Sequence, residues 1–292
     1  MTELHTLEQY PQWTIPKFNY TLQGRSRSAD RSGFMIKEFG IFFDAGICTH
    51  AEPKIILITH THSDHCAVLP RILTGQKNIC DIYVPQESRE VLINYMDAYK
   101  KLSSSDIHRK FTHVNSIKGV SKDDVFEFII KNKKFIVDVL PCYHTIPTVS
   151  YMLSETRKKL KEEYVGLSGQ EIIKLRKSGT KVSHILKYPI LAYICDTNIN
   201  GLNIIDTTLV DCSTIIVECT FLDDVHLEQA NIRKHIHWKQ LEPIIDKNKN
   251  KTFVLIHFSM RYKDQAIIDF FRNQKYNNIV LWLDSGCISI KN

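Results

Sequence analysis

The sequence predicts an α/β protein in which helices cover a sheet that is mostly buried on both faces. Short apolar runs rich in β-branched residues recur along the 292-residue chain, which is 43% hydrophobic. Amphipathic stretches of helical period lie between these runs, and this alternation is typical of a layered α/β domain. The runs predicted as strands are residues 39–44, 54–59, 135–140, 190–195, 214–219, 252–256 and 279–283.

The amphipathic stretches predict helices, and they connect the strands without a visible linker. These predicted helices are residues 88–102, 123–131, 225–247 and 264–274. A chain of this length can form one large α/β domain or two small ones. Because no linker, internal repeat or low-complexity tract is found, we expect a single domain over residues 1–292.

The composition argues against several classes of protein. No apolar run is long enough to cross a bilayer and no secretory signal is visible, so we expect no membrane association. The eight cysteines form no Cys-x-x-Cys pair, which argues against a zinc ribbon and against a disulfide framework. Unpaired cysteines predict a reducing compartment, the cytoplasm, without excluding the nucleus.

The distribution of charge distinguishes one segment of the chain. The net charge is +6 and the isoelectric point is near 8.8, which is compatible with a nucleic-acid partner. Residues 154–187 contain nine Lys and Arg against four Glu, so this segment carries nearly the whole excess. Because it is polar and contains three glycines, we expect an excursion from the core rather than a separate domain.

The hexapeptide His-Thr-His-Ser-Asp-His at residues 60–65 places four metal-ligand types in six residues, directly after an apolar run. Four such ligands packed into six consecutive residues cannot all reach one small ion. The pattern therefore predicts two adjacent metal sites, one fed by His60 and His62 and the other by Asp64 and His65. Imidazole and carboxylate ligands suit Zn²⁺ or Mn²⁺. A polar turn with coincidental histidines is disfavoured, because such ligand density rarely arises by chance.

Other polar residues stand where predicted strands end, which is where sites gather in α/β folds. These residues are His60, His144, Asp196, Glu218 and His257. Counting ligands gives two nearly complete sets, His60, His62 and His144 for one ion and Asp64, His65 and His257 for the other. Asp196 can bridge both ions through its two oxygens. Each ion then keeps an open position for a shared water, as catalytic zinc requires.

Residues 60–65 match the HxHxDH signature of the metallo-β-lactamase superfamily, and the chain most resembles its ribonuclease Z (tRNase Z) family. Five further segments resemble the histidine, aspartate, Glu-x-Thr-Phe, Ala-x4-His and His-Phe-Ser-x-Arg-Tyr motifs of that family. They begin at His144, Ile194, Glu218, Ala230 and His257. The last three distinguish ribonuclease Z from the thioesterases and lactamases of the superfamily. The resemblance covers roughly residues 34–286 and the length is that of the short form of the family.

The resemblance implies a four-layer αβ/βα sandwich of the metallo-β-lactamase type that holds two zinc ions, with Mn²⁺ as the alternative. It implies hydrolysis of precursor tRNA 3′ to the discriminator nucleotide by a hydroxide that bridges the two ions. The products are a tRNA with a 3′-hydroxyl and a trailer with a 5′-phosphate. Short-form relatives often act as homodimers, so we also expect a homodimer.

The resemblance also suggests roles for three residues. Asp64 binds metal and accepts the proton of the attacking water. His235, inside the predicted helix 225–247, stabilises the transition state or protonates the leaving 3′-oxygen, and Glu218 orients its ring. His237 competes with His235 for this role, and the spacing from Ala230 favours His235.

Two regions are candidates for contact with RNA. Residues 152–188 fall where many ribonuclease Z enzymes carry a protruding tRNA-binding arm, and a solvated helical hairpin is the competing interpretation. The polar loop 24–33 is the second region, and a plain surface loop is equally compatible with it. The predicted RNA-binding residues are Arg157, Lys158, Lys159, Lys174, Arg176, Lys177, Arg27 and Arg31.

Other functions share part of this pattern. The Pro-x-Lys-x-Arg-Asn loop of many bacterial members is absent, and residues 26–31 occupy the comparable region. A small-molecule phosphodiesterase or a glyoxalase-II-like thioesterase would use the same metal ligands. A non-catalytic RNA-binding protein is the alternative of another class, but it would be expected to lose ligands, and no ligand is missing here.

Overall fold

The computed structural model describes residues 10–47, 51–74, 79–104 and 114–290, which form two sheets. The first sheet contains, in spatial order, β1 (Gln12–Ile15), β2 (Tyr20–Arg27), β3 (Arg31–Ile36), β4 (Ile41–Phe43), β5 (Ile55–Leu57), β6 (Cys80–Pro85) and β7 (Val114–Val120). The second contains β8 (Val125–Ile130), β9 (Lys133–Pro141), β10 (Val149–Leu160), β11 (Ser183–Ile194), β12 (Thr214–Glu218), β13 (Thr252–Ile256), β14 (Ile279–Leu283) and β15 (Gly286–Ser289). All seven predicted strands are confirmed.

The helices lie between these strands in the chain. They are α1 (Ser63–Cys66), α2 (Leu69–Leu73), α3 (Arg89–Ser103), α4 (Gly169–Lys177), α5 (Ile204–Thr207), α6 (Leu227–Arg233), α7 (Trp238–Lys247) and α8 (Asp264–Arg272). The predicted helices 88–102 and 264–274 correspond to α3 and α8. None of the helices in the described ranges is long and apolar enough to span a membrane.

Alternation along the strands creates three apolar cores and four layers. In β4, Ile41 and Phe43 face the second sheet, whereas Phe42 faces the helices that follow β5. In β12, Ile216 faces the first sheet, whereas Ile215 packs against the other group of helices. Since side chains alternate with a period of two, the central strands of both sheets are buried on both faces. The order of layers is helices, sheet, sheet and helices.

The prediction of a helix at residues 123–131 is wrong, because this segment is β8 in a hairpin with β9. Phe126 and Phe128 pack against the core between the sheets, whereas Val125 and Ile129 are exposed. That alternation has the period of a strand. The turn uses Lys131 and Asn132, with φ of 51° and 61°, and two positive φ angles are typical of a tight hairpin.

The predicted helix 225–247 is interrupted. Helix α6 ends at Arg233, and Lys234 then adopts the left-handed conformation, with φ 53° and ψ 49°. Helix α7 begins at Trp238, after His237 as its N-cap. His235 therefore lies in a turn between two helices rather than on a helix face.

The basic segment projects from the second sheet as a two-stranded ribbon that carries α4. Strand β10 pairs with β9 only as far as Glu155, but it pairs with β11 as far as Leu160. Buried Glu155 fixes the root of this ribbon, because its carboxylate accepts hydrogen bonds from Tyr20 and Arg157. Both strands of the ribbon continue into the loops that carry His144 and Asp196, so the arm is joined directly to the metal-ligand segments.

The core between the sheets generates a stability prediction. Phe34 is fully buried, and its ring meets Trp282 and Tyr193 at centroid distances of 4.9 and 5.7 Å. Phe34→Ala should lower the free energy of unfolding by about 3–5 kcal/mol, because a cavity replaces the ring. Urea unfolding measures this loss. The control Ile129→Ala, at a side chain 71% exposed, should change it by less than about 0.5 kcal/mol. A loss at Phe34 no larger than that of the control would contradict this packing.

Candidate metal centre

Strand ends of both sheets bring the predicted ligands together at one edge of the sandwich. The segment 60–65 follows β5 of the first sheet and leads into α1. His144 lies between β9 and β10, Asp196 follows β11, and His257 follows β13, all in the second sheet. Residues that are far apart in the chain therefore meet between the two sheets.

The donor atoms form two groups that share Asp196. One group is His60, His62, His144 and Asp196, and the other is Asp64, His65 and His257, with Asp196 adjacent. Asp196 Oδ2 lies 3.7 Å from His60 Nε2 and 3.8 Å from His144 Nε2. Its Oδ1 lies 3.6 Å from His65 Nε2 and 3.3 Å from His257 Nε2. Each carboxylate oxygen thus faces a different group.

The distances within each group fit a bound metal ion. His62 Nδ1 lies 3.1 Å from His60 Nε2 and 3.3 Å from His144 Nε2. His65 Nε2 lies 3.4 Å from His257 Nε2. A tetrahedral zinc with bonds of about 2.0–2.1 Å would separate its nitrogen ligands by roughly 3.3 Å. The spacing of these nitrogen atoms is therefore compatible with a tetrahedral zinc ion.

Hydrogen bonds behind the rings decide which nitrogen of three histidines carries the proton. His144 Nδ1 lies 3.0 Å from the carbonyl oxygen of Lys234, which can only accept. His65 Nδ1 lies 2.9 Å from the Asp44 carboxylate. His60 Nδ1 meets the Thr59 hydroxyl, whose own proton goes to Asp44. In the neutral form of each ring, the Nε2 lone pair therefore points into the centre, where it can bind a cation.

His257 is oriented in the same way by a second carboxylate. Its Nδ1 lies 3.0 Å from the Thr220 hydroxyl, which donates to Glu218 Oε2 at 2.5 Å. Glu218 also accepts from the backbone N–H of Thr197 and from His235. Asp44 and Glu218 are both fully buried, and each aligns two histidines directly or through a threonine.

Sequence reasoning missed Asp44 and the two threonines. Asp44 stands at the end of a predicted strand, which is the same signal that identified the ligands. It also has φ of 60°, as His257 has φ of 62°, and non-glycine residues rarely adopt these angles. Such backbone conformations cluster at functional sites, where the surrounding contacts maintain them.

Burial keeps three of the histidines neutral. It lowers the pKa of His60 well below its ordinary value and also lowers the pKa of His62 and His144. Removal from water disfavours the charged imidazolium. A neutral imidazole is the form that binds a metal ion, so burial favours the ligand state.

In the other group, the neighbouring carboxylates favour the positively charged form of the histidine. Burial opposes a charge on His65, but the neighbouring carboxylates of Asp196 and Asp44 raise its pKa well above the usual value. Burial also opposes ionisation of Asp64, yet its contacts with the neighbouring histidines hold the pKa of this carboxyl far below the usual range. The Asp64 Oδ2 atom in addition accepts a hydrogen bond of 3.0 Å from the backbone N–H of Ala29.

His235 is the predicted catalytic histidine, and it lies beside this centre. Its Nδ1 is 3.1 Å from both oxygens of Glu218 and 3.9 Å from Asp196 Oδ2. Burial lowers the pKa of His235, but the nearby carboxylates outweigh it and raise the pKa to about 9. His237 is fully buried, and its ring bonds to Asp223 O and Lys239 N, away from the metal ligands.

The geometry explains the spacing between Ala230 and His235. The N–H of His235 bonds to Ala230 O at 2.9 Å, and the N–H of Lys234 bonds to Asn231 O at 3.3 Å. These two bonds form the Schellman motif that ends many helices. The motif places its last residue five positions after its first, so His235 follows buried Ala230 at a fixed distance.

Arg27 does not fit its predicted RNA-binding role. The predicted loop 24–33 is the hairpin of β2 and β3, and Arg27 is buried, with hydrogen bonds to Ser259 O and Asp264. Its guanidinium therefore ties β2 to the segment after His257 and is withdrawn from solvent. Arg31 is partly exposed and lies near Asp30.

The other predicted RNA-binding residues lie on the arm. Arg157 bonds to Glu155, and its guanidinium lies over the rings of Phe18 and Tyr188, so it anchors the arm root. The remaining five are exposed and form no ion pair within the described part of the chain. They are Lys158, Lys159, Lys174, Arg176 and Lys177.

Comparisons with known proteins agree on one family. The chain is 31% identical to tRNase Z TRZ1 of Arabidopsis thaliana over 260 residues, which cover 86% of this chain and 89% of that protein. It is 29% identical to the chloroplastic tRNase Z TRZ2 of the same plant, over 85% of this chain and 70% of that protein. A search of protein-family models gives no match.

Solved structures agree on the fold. The short form of human tRNase Z superposes with a TM-score of 0.56 at 18% identity, over 93% of this chain and 99% of that chain. The metallo-β-lactamase fold protein YhfI of Bacillus subtilis superposes with a TM-score of 0.53 at 12% identity, over 88% of this chain and 93% of that chain.

Together, the fold and the histidine–aspartate donor set define a protein of the metallo-β-lactamase fold with a candidate metal centre. Within that class, the identity to TRZ1 over nearly its whole length shows that the chain belongs to the tRNase Z (ribonuclease Z) family. The fold class and the family resemblance predicted from the sequence are both confirmed.

The buried carboxylate behind the ligands generates a prediction on metal affinity. Asp44→Asn should weaken metal binding by about 10–100-fold, because an amide cannot accept all the hydrogen bonds that orient His60 and His65. Competition with a chromogenic chelator measures the affinity. The control Asp138→Asn removes a carboxylate that pairs with Lys187 on the arm, and it should bind metal as the unmodified protein does. Unchanged affinity in Asp44→Asn would show that Asp44 does not orient the ligands.

Proposed function

We propose that this chain is a tRNA 3′-processing endonuclease that hydrolyses the phosphodiester 3′ to the discriminator nucleotide of precursor tRNA. The products would be a tRNA with a 3′-hydroxyl and a trailer with a 5′-phosphate. The observation that carries this proposal is the meeting of seven ligand-type side chains with the His235–Glu218 pair. That pair comes from segments that distinguish tRNase Z from the thioesterases and lactamases of the superfamily.

The proposed cofactors are two zinc ions, with Mn²⁺ as the alternative. The ligands would be His60, His62 and His144 for one ion, Asp64, His65 and His257 for the other, and Asp196 for both. When bound, two such ions supply a Lewis acid for the phosphoryl oxygens and lower the pKa of a water between them. Spacing and tautomers of the side chains support this assignment.

The residues around the ions would handle the protons of the reaction. Asp64 would bind metal and accept the proton of the attacking water, and the Ala29 N–H holds one of its oxygens in place. His235 would protonate the leaving 3′-oxygen through Nε2, because Nδ1 is engaged by Glu218. Glu218 would stabilise the charged imidazolium until the proton is transferred.

The arm would bind the body of the tRNA. We propose that residues 152–188 form the RNA-binding arm of a single catalytic domain that spans residues 1–292. Exposed lysines on β10 and α4 suit contacts with phosphates that do not depend on sequence. Since β10 and β11 lead into the loops of His144 and Asp196, RNA held by the arm would be held relative to the metal centre.

Assembly and compartment follow from the family and from the cysteines. By analogy with short-form relatives, we propose that the chain acts as a homodimer. Every cysteine in the described ranges is free, which suits a reducing compartment, the cytoplasm or the nucleus.

Cleavage of a 3′-extended pre-tRNA tests the proposed reaction. The purified protein should cut after the discriminator nucleotide, and a chelator should abolish cleavage. Asp64→Ala should lower the rate by about a thousandfold or more, because it removes a ligand and a proton acceptor. Mapping of both product ends measures site and rate. The control of normal activity is Asp97→Asn, at an exposed carboxylate of α3 that pairs with Lys100.

Three results would contradict the proposed function. A normal rate in Asp64→Ala would exclude the assigned role of this residue. Hydrolysis of bis-p-nitrophenyl phosphate without cleavage of any pre-tRNA would instead indicate a small-molecule phosphodiesterase. Bound metal without turnover of any diester would indicate a non-catalytic RNA-binding protein.

The arm generates a separate prediction. Replacing Lys158, Lys159, Lys174 and Lys177 with Gln should weaken pre-tRNA binding and lower the salt dependence by about one unit of slope per lost contact. The rate of hydrolysis of bis-p-nitrophenyl phosphate should be unchanged, because a small diester bound at the metal centre is too short to contact the arm. The matched control replaces four exposed lysines elsewhere, Lys37, Lys122, Lys249 and Lys275. An RNA-binding arm would be refuted if the arm variant lost activity equally on both substrates. It would also be refuted if the arm variant and the control variant lost pre-tRNA binding equally.

A further inference from the structure

Lys234 occupies a backbone position that favours glycine. It ends α6 in the left-handed conformation, with φ 53° and ψ 49°, as the penultimate residue of the Schellman motif before His235. Glycine adopts this conformation without strain, whereas a side chain makes it unfavourable. The backbone contacts of the turn do not need a side chain here, because the carbonyl that accepts from His144 Nδ1 would remain in a glycine. The lysine side chain therefore needs another explanation.

The side chain of Lys234 lies against a metal-ligand loop. Its Nζ donates to the carbonyl oxygen of His144 at 3.0 Å, while its own carbonyl accepts from the ring of His144 at the same distance. This reciprocal contact holds the ammonium against the backbone of His144, one ligand of the first group. His235, the next residue, faces Asp196 and Glu218.

The ammonium of Lys234 retains donors for a ligand. An ammonium has three N–H groups, and the contact with His144 uses one of them. The residue is exposed, and within the described ranges no carboxylate forms an ion pair with it. An unneutralised cation at the rim of the site is placed to meet a phosphate oxygen, for which lysine acts as a point charge.

We propose that Lys234 binds a non-bridging oxygen of the phosphate that is cleaved. This inference rests on the proposed function, since it assigns a substrate contact to the same site. The proposal adds a substrate-binding residue that lies in the turn between α6 and α7 and is not itself a metal ligand. The strained backbone is tolerated because it presents this ammonium next to His144 and His235.

The experiment compares Lys234→Gly, Lys234→Gln and Lys234→Arg on bis-p-nitrophenyl phosphate and on pre-tRNA. Lys234→Gly should retain its metal and should be at least as resistant to urea as the unmodified protein, since glycine relieves the turn. Both neutral variants should lose about tenfold in kcat/KM on the small diester, the effect of one charged hydrogen bond. On pre-tRNA they should also lower the slope of the salt dependence by about one. Lys234→Arg should recover part of the loss.

The control Lys239→Gln removes a cation of α7 that pairs with Asp224. It should leave kcat/KM on both substrates unchanged. Unchanged kinetics of Lys234→Gly on both substrates would overturn the proposal, as would loss of metal or of stability in that variant. Equal losses in Lys239→Gln would also overturn it, because the effect would then be one of net charge. Failure of the unmodified protein to cut pre-tRNA would contradict only the proposed function, because the small diester still tests Lys234.

Discussion

The buried carboxylate of Asp196 is the constraint around which the functional edge of this protein is organised. Its two oxygens face two different groups of histidines, and it is almost inaccessible to water. An ionised carboxylate in such a position costs several kcal/mol unless positive charge compensates it. Strand ends from both sheets converge on this point, so the packing of the sheets and the geometry of the site are inseparable.

Two further carboxylates orient the histidines of the centre. Asp44 extends from the first sheet and Glu218 from the second, and each aligns two histidines. Hydrogen bonds of this kind select the tautomer and direct lone pairs inward before any ion arrives. Glu218 serves both a predicted ligand, through Thr220, and His235. The same carboxylate, Glu218, thus orients both a predicted metal ligand and the histidine predicted to transfer a proton.

Much of this arrangement could be predicted from the sequence, because the ligands form a dense local pattern and buried strands form apolar runs. The sequence-based predictions fail at positions where contacts between distant parts of the chain determine the local structure or the role of a residue. The apolar residues of segment 123–131 also suit a helix, yet Phe126 and Phe128 are held in a strand by the core between the sheets. Arg27 stands in a polar stretch that predicts a surface cation, and only its partners in the second half of the chain account for its burial. Asp44 was missed because its role lies in hydrogen bonds to rings that the sequence does not place.

Anomalous diffraction from crystals grown with zinc tests the central claim most directly. The account predicts two peaks between the sheets, one within bonding distance of Asp196 Oδ1 and the other within bonding distance of Oδ2. The first should also contact His65 and His257, and the second His60, His62 and His144. A single peak, or two peaks that leave Asp196 without a metal contact, would contradict the account.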